Sequence, residues 1–116
     1  MTRIATGKKA EDMAAEYLQA KGMIVIERNF RAKTGEIDLI ARDADEIVFV
    51  EVRARASSGY GGAAASVDAS KRRKVVRAAS VWLAARGWDG PCRFDVVAVQ
   101  GGRLEHIPGA FEADSR

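Results

Sequence analysis

The sequence predicts one domain of the α/β or α+β class, with a mixed sheet and the element order αβββαββ. Two stretches carry apolar residues at helical spacing, and five stretches are rich in β-branched and apolar residues, as strands are. The chain has 116 residues, of which 47% are hydrophobic and 30% charged, a globular composition. We therefore expect residues 1–116 to form a single domain.

The first helix is predicted by its two ends and one apolar face. Thr6 is a suitable N-cap, and Gly22 is a suitable residue to end the helix. Glu11 lies on the border of the apolar face, so this acid leans toward the protein body. The apolar face consists of Ala10, Met13, Ala14, Tyr17 and Leu18.

Three strands follow, predicted over residues 23–30, 36–42 and 47–55. The polar residues 43–46 are short enough to form a hairpin loop between the second and third strands. Residues 56–66 are rich in Gly, Ser and Ala, and we expect a mobile loop there.

The second helix begins near Asp68 or Ser70 and runs to Arg86, with Gly87 ending it. A fourth strand is predicted over residues 93–99 and a short fifth over 103–107, which Pro108 ends. The tail, residues 112–116, is expected to be disordered.

The hairpin allows a prediction of side-chain pairing. A loop of two or four residues centred between Ala44 and Asp45 pairs positions whose numbers add to 89. This register sets Asp38 opposite Glu51, with Cβ atoms of opposed residues about 5 Å apart. A loop of three or five residues would instead shift the pairing by one.

Two acids that face each other in this way destabilise the sheet unless something compensates their charges. One carboxyl takes up a proton, a basic side chain lies between them, or a divalent cation binds to both. Carboxylate oxygens suit a hard cation such as Mg²⁺. The alternative is a surface ladder of charges, in which Glu36 opposite Arg53 and nearby basic residues balance the two acids.

Composition excludes several other chemistries. Cys92 is the only cysteine, so no internal disulfide and no cysteine-based zinc site can form. His106 is the only histidine, and we interpret it as a half-exposed strand residue rather than part of a Ser-His-Asp triad. No apolar run approaches the roughly 20 residues that span a bilayer, and no secretory signal opens the chain. We expect a cytoplasmic protein with no membrane partner.

The second helix carries a basic cluster, and the net charge of the chain is +3. Helical angles place Lys71 and Arg72 at the edges of the apolar face, whereas Arg73, Lys74 and Arg77 point outward. The outward residues are suited to contact phosphates, and the alternative is a solvated helix face.

The loop at 56–66 has two interpretations. Residues 59–64 match the pattern G-x-G-x-x-A of dinucleotide-binding folds, but the following helix starts too late and its first turn is too basic. We favour a flexible loop in which Tyr60 stacks on a base and Arg55 lies at its start, with a loop of no function as the alternative.

Four segments together closely resemble the YraN family of uncharacterised bacterial proteins, over about residues 7–111. The segment Gly35-Glu36-Ile37-Asp38-Leu39-Ile40 is the most specific of them. The others are Gly7 with Ala10-Glu11, Phe49-Val50-Glu51-Val52-Arg53 and Arg93-Phe94-Asp95-Val96-Val97.

The resemblance implies the restriction-endonuclease-like fold, whose nucleases use a PD-(D/E)xK motif, and a likeness to archaeal Holliday-junction resolvases. In that pattern Glu11 matches the helix glutamate, Asp38 the motif aspartate and Glu51 the motif glutamate. All three then bind Mg²⁺ or Mn²⁺. Arg53 stands where the motif has lysine, and arginine cannot act as a base. No proline precedes Asp38.

The sequence therefore predicts a metal-dependent endonuclease-like protein that acts on nucleic acid. Branched DNA is one substrate that the resemblance implies. The expected catalytic residues are Glu11, Asp38, Glu51 and Arg53, with Glu36 and Lys71 as auxiliary groups. Lys71 is placed to replace the missing motif lysine. The expected nucleic-acid contacts are Arg55, Tyr60, Lys71, Arg72, Arg73, Lys74 and Arg77.

Two alternatives remain open. The same fold can bind nucleic acid without cleaving it, or the chain can be an interaction protein whose acids are vestigial. Junction resolvases of this fold act as dimers, so the resemblance also implies a homodimer, for which the sequence identifies no interface.

Overall fold

The computed structural model describes residues 3–54 and 67–113, with the backbone alone for residues 3–7. The predicted loop at 56–66, with Arg55 and Tyr60, and the last residues of the tail, 114–116, lie outside the described residues. The order αβββαββ is confirmed. The elements are α1 (Arg3–Ala20), β1 (Ile24–Ala32), β2 (Gly35–Asp43), β3 (Glu46–Ala54), α2 (Ala69–Arg86), β4 (Cys92–Gln100) and β5 (Arg103–Phe111).

The five strands form one mixed sheet in the order β1-β2-β3-β4-β5. The pair β3–β4 is parallel, and the other three pairs are antiparallel. A parallel pair needs a crossover connection, and α2 lies in the segment between β3 and β4. The result is an α+β fold with a mixed sheet flanked by two helices, as the sequence predicts.

Each face of the sheet is covered by one helix. Ala14 and Leu18 of α1 pack with Leu39, Val50 and neighbouring residues on one face. On the opposite face α2 packs through a second buried cluster, which includes Ile40, Phe49, Val75, Trp82 and Phe94. Because both faces are buried near the hairpin loop, β2 and β3 are apolar on successive residues there.

The hairpin register is confirmed. Asp43 pairs with Glu46 around a two-residue loop, and the ladder continues to Leu39 opposite Val50, so every pair adds to 89. Ala44 in the loop has a φ of 56°, the left-handed conformation that two-residue hairpin loops use.

The ends of α2 lie where the sequence predicts them. The Asp68 carboxylate accepts a hydrogen bond of 2.9 Å from the backbone N–H of Lys71, and Gly87 ends the helix in the left-handed conformation. The start of α1 differs from the prediction, because the helix begins at Arg3 and Thr6 lies inside it rather than at its N-cap. Residues 3–5 (Arg, Ile and Ala) all have adequate helix propensity, so nothing stops the helix at Thr6.

The prediction that Pro108 ends β5 is wrong, because the strand continues to Phe111. β5 is an edge strand, where a residue without an N–H can face away from its neighbour. The register against β4 also shifts between Phe94 and Val96. At this irregularity Gly109, with a φ of 60°, donates its N–H to the Asp95 carboxylate at 3.0 Å.

Across the described ranges, 3–54 and 67–113, neither helix is long and apolar enough to cross a membrane.

Candidate functional site

The candidate site begins where β2 and β3 separate. Their ladder stops at Leu39 and Val50, so the next positions, Asp38 and Glu51, lie beyond the last backbone pair. There the Asp38 carboxylate takes the place of a backbone carbonyl and accepts a hydrogen bond of 2.8 Å from the N–H of Val52. Asp38 is therefore fixed between the two strands, beside the β3 residues that carry the rest of the motif.

Glu51 is buried, with 1% of the residue exposed. Among the described residues neither of its carboxylate oxygens has a hydrogen bond of normal geometry, although the Asp38 N–H and the Lys71 ammonium lie near enough to lower its pKa. The nearest cation is the ammonium of Lys71, whose Nζ lies 3.6 Å from Oε1. A buried acceptor without a hydrogen bond costs about 1–3 kcal/mol, and more if it is charged. Glu51 is thus held in a position that destabilises the fold.

Burial, and after it the nearby charge of Asp38, raise the pKa of Glu51 to about 8 against the lowering effect of Lys71. Burial also raises the pKa of Asp38, opposed by the Val52 N–H and by Lys71. Of the three ways to compensate two neighbouring acids, the protein on its own uses proton uptake and a basic side chain.

Glu11 approaches this pair from α1, on the other face of the sheet. Its Oε1 accepts a hydrogen bond of 3.3 Å from Nδ2 of Asn29 and lies 3.9 Å from the guanidinium of Arg28. Burial raises the pKa of Glu11, and the negative charge of Asp38 raises it as the next largest cause.

The three predicted metal ligands do not form one tight cluster. Within residues 3–54 and 67–113, no three Asp, Glu, His or Cys side chains are close enough together to hold an ion. The arrangement is instead a buried pair, Asp38 and Glu51, with Glu11 held at its edge by β1.

Asn29 is a residue of this site that the sequence reasoning missed. It occupies the β1 position between Arg28, which pairs with Leu39, and Phe30, which pairs with Ile37, and so faces the position of Asp38. Its φ of 55° lies in the left-handed region, which breaks the strand alternation. The available signal was its residue type, because Asn adopts this conformation more readily than most residues.

Two further predicted groups lie on the strands around the pair. Arg53 is on β3, and its charge lowers the pKa of Asp38. Glu36 is on β2 and forms an ion pair of 3.2 Å with Arg31 of β1.

The basic residues of α2 divide into two groups. Lys71 reaches inward to Glu51, as predicted from the helical angles. Arg72 is also engaged within the protein, since Nε donates to the Val67 carbonyl at 2.7 Å and the guanidinium lies 5.3 Å from the centre of the Phe111 ring. The second group, exposed to solvent, consists of Arg73, Lys74 and Arg77.

His106 lies on β5, at the opposite side of the sheet from β1. Its side chain is 5% exposed, so it is a buried strand histidine rather than the half-exposed one expected. Its Nε2 lies 2.8 Å from Oδ2 of Asp95, a fully buried acid that Arg93 and the Gly109 N–H also contact. The strand register packs this imidazole against β4, which removes it from solvent.

A five-stranded mixed sheet between two helices, with acidic residues where its second and third strands separate, defines the class of this protein. It is an α+β protein consistent with the restriction-endonuclease-like arrangement.

The comparisons with known proteins identify the family. Residues 10–99 match the model of Uncharacterised protein family UPF0102, and the chain therefore belongs to that family. A UPF0102 protein of Cupriavidus metallidurans is 55% identical over 91% of this chain and 80% of its own length. One from Dechloromonas aromatica is 52% identical, covering 97% and 93% of the two chains, and one from Yersinia enterocolitica is 48% identical, covering 98% and 100%.

Proposed function

We propose that this protein is a metal-dependent endonuclease that acts on nucleic acid in the cytoplasm, with branched DNA as the first substrate to test. One observation carries the proposal. The buried Glu51 carboxylate has no hydrogen bond of normal geometry from the described residues, and it lies beside Asp38 at the strand separation. Buried polar groups are nearly always hydrogen-bonded, and a bound ion is one explanation for a group that is not.

The residues present fit a hard divalent cation. All the candidate donors are carboxylate oxygens, which Mg²⁺ and Mn²⁺ prefer. Asp38 and Glu51 would hold the ion, and Glu11 would act from the edge of the site. When bound, such an ion supplies an activated water and stabilises charge on a reacting phosphate.

Two cations of the chain complete the site. The Lys71 ammonium is already 3.6 Å from Glu51, where it can neutralise charge that develops on a phosphate. Arg53 is on the same strand two residues from Glu51, so both project to one face of the sheet. Because a guanidinium does not lose its proton, Arg53 stabilises negative charge rather than accepting a proton.

The auxiliary role of Glu36 is to orient Arg31, its partner at 3.2 Å, near the β2 end of the site. Arg55 and Tyr60 lie outside the described residues, and their contact with nucleic acid stays a prediction from the sequence.

The test combines metal binding with cleavage. Mn²⁺ binding is measured by electron paramagnetic resonance, and cleavage is assayed on junction, flap and single-stranded DNA. In Asp38→Asn, both should be lost, although Asn still accepts the Val52 N–H and so keeps the local fold. The matched control is Asp89→Asn, a change at an exposed residue after α2. If Asp38→Asn binds Mn²⁺ and cleaves as the unchanged protein does, the proposal is wrong.

A second candidate is a nucleic-acid-binding protein of the same fold that does not cleave. Two observations favour it: Arg53 occupies the motif-lysine position, and the acids of the described residues do not form a three-ligand cluster. This candidate predicts DNA binding that depends steeply on salt and does not change in Asp38→Asn. A protein that binds neither Mn²⁺ nor DNA would instead be an interaction protein with vestigial acids.

A further inference from the structure

The turn between β1 and β2 is packed directly against α2. A Cβ atom added at Gly35 would lie 3.0 Å from the Lys74 Cβ and 3.0 Å from the Lys74 carbonyl oxygen. Contacts this short are essentially at the steric limit, so glycine is what lets the turn reach the helix backbone. Lys33 lies in this turn, two residues before Gly35, and is exposed to solvent.

The basic side chains at this junction differ from several arginines elsewhere in the described residues. Arg28, Arg86 and Arg93 each form an ion pair with an acid. In contrast, within the described ranges no acid is within 4.0 Å of any basic group at the junction. These unneutralised, solvent-exposed groups are Lys33, Arg73, Lys74 and Arg77.

One acid lies near the same turn. Glu36 follows Gly35 directly, but it is already paired with Arg31 at 3.2 Å. The junction therefore has a net positive charge that comes from two separate elements, a turn and a helix. A positive surface of this kind attracts a polyanion and gains affinity from counterion release.

We propose that the β1–β2 turn and the exposed side of α2 form one phosphate-binding surface for a nucleic-acid backbone, with Lys33 and Lys74 at its centre. This inference rests on the proposed function and extends it to the turn, which the sequence did not assign to the substrate. Lys71 is one helical turn before Lys74 and contacts Glu51, so the surface leads directly to the acidic pair.

The experiment measures binding of a fluorescent DNA duplex to the full chain by anisotropy over a salt series, with chelator present so that no cleavage occurs. Lys33→Ala and Lys74→Ala should each weaken binding and each reduce the slope of log K against log salt by about 0.9, the value for one lost phosphate contact. Arg103→Ala is the matched control, because Arg103 is an exposed cation on β5, at the opposite edge of the sheet. Its slope should equal that of the unchanged protein.

Two outcomes overturn the inference, and they are distinguishable. If the unchanged protein binds DNA and Lys74→Ala lowers the slope but Lys33→Ala does not, the turn is outside the surface and the proposed function stands. If the unchanged protein shows no salt-dependent binding, the nucleic-acid function and this surface are both wrong. Thermal unfolding of each variant serves as the folding control, since both lysines are exposed and their removal should leave the midpoint unchanged.

Discussion

Asp95 and Glu51 are both buried acids of the sheet, with 0% and 1% of each residue exposed, yet their surroundings are opposite. Asp95 contacts the guanidinium of Arg93, the imidazole of His106 and the N–H of Gly109, at 2.8–3.0 Å. Glu51 has one lysine at 3.6 Å and no hydrogen bond of normal geometry from a described residue. Burial alone would raise the pKa of both carboxyls.

The difference in hydrogen-bond partners decides in which direction the pKa of each carboxyl shifts. Hydrogen bonds from His106, Gly109 and Arg93 outweigh burial and lower the pKa of Asp95, whereas that of Glu51 rises to about 8. The partnered acid joins β4 to β5 and, through Arg93, to Asp43 and Glu46 at the hairpin loop. The other acid, Glu51, has only the Lys71 ammonium as a charged partner, at 3.6 Å. Asp95 is thus a stabilising residue, whereas Glu51 is the acid that our proposal assigns to a metal ion.

The largest expected effect is at Asp95. Asp95→Ala should lower the free energy of unfolding by about 3–5 kcal/mol, because it leaves the buried His106 imidazole and the Gly109 N–H without their acceptor. Urea denaturation followed by circular dichroism measures this. Asp89→Ala, a change at an exposed acid, should stay within about 0.5 kcal/mol. Equal effects in the two variants would remove the distinction between partnered and unpartnered acids.

The lowered pKa of Asp95 also sets the sign of the response to acid. Its contribution to stability is present above 3.8, the ordinary value, and is lost as the pH falls through the lower value of the folded state. Asp95→Asn should therefore lose less stability on acidification than the unchanged protein does.

Glu51 should respond in the opposite direction. Glu51→Gln should stabilise the metal-free protein by about 1–3 kcal/mol near pH 8, because it removes a buried charge that lacks hydrogen bonds. The folded state, with a pKa of about 8 against 4.5, binds more protons than the unfolded chain. The stability of the unchanged protein thus falls as the pH rises from about 5 to about 8, and that of Glu51→Gln does not.

Metal binding sharpens this prediction. Mn²⁺ should raise the melting temperature of the unchanged protein and not that of Glu51→Gln, as a ligand bound only by the folded state does. If Glu51→Gln without metal is less stable than the unchanged protein at pH 8, Glu51 is a structural residue.

Neighbouring arginines of α2 extend the comparison to cations. Arg72→Ala should cost about 1–2 kcal/mol, because it removes the hydrogen bond to the Val67 carbonyl and the contact with the Phe111 ring. Arg73→Ala, at an exposed residue, should change stability by less than about 0.5 kcal/mol. In the DNA-binding experiment the order should be reversed: Arg73→Ala should weaken DNA binding more than Arg72→Ala does.

The smallest effect is expected at Asn29. Asn29→Gly keeps the left-handed backbone and removes the hydrogen bond to Glu11, so stability should change by less than about 0.5 kcal/mol. Mn²⁺ affinity should fall only a few-fold, since Glu11 loses one neutral hydrogen bond of the kind worth about 1 kcal/mol. A loss as large as that in Asp38→Asn would place Asn29 among the essential groups.

Local signals in the sequence were sufficient for most of the fold. The register of the hairpin follows from a loop of two or four residues centred between Ala44 and Asp45, which is a local property. The inward reach of Lys71 follows from helical angles in the same way. Local signals do not predict the end of β5. A strand continues through a proline such as Pro108 only where it lies at the edge of the sheet, and the strand order is a property of the whole sheet.

The geometry of the site was only partly predictable for the same reason. Pairing predicted that Asp38 and Glu51 come together, but not that β2 and β3 separate there, because the separation depends on a side chain replacing a carbonyl. The position of Glu11 depends on Asn29 and Arg28, which the chain places 18 and 17 residues away on another element. The single change of φ at Asn29 leaves only a weak signal in the sequence.

The Asp38–Val52 hydrogen bond has a consequence for the motion of the site. The hairpin ladder runs from its loop to Leu39 and Val50, and beyond that point the Asp38 side chain, rather than a backbone carbonyl, accepts the bond from β3. Opening this bond requires a rotation of the Asp38 side chain, whereas opening the ladder requires the strands themselves to move apart. Separating β2 from β3 beside the acids therefore breaks fewer bonds between these two strands than opening the ladder does.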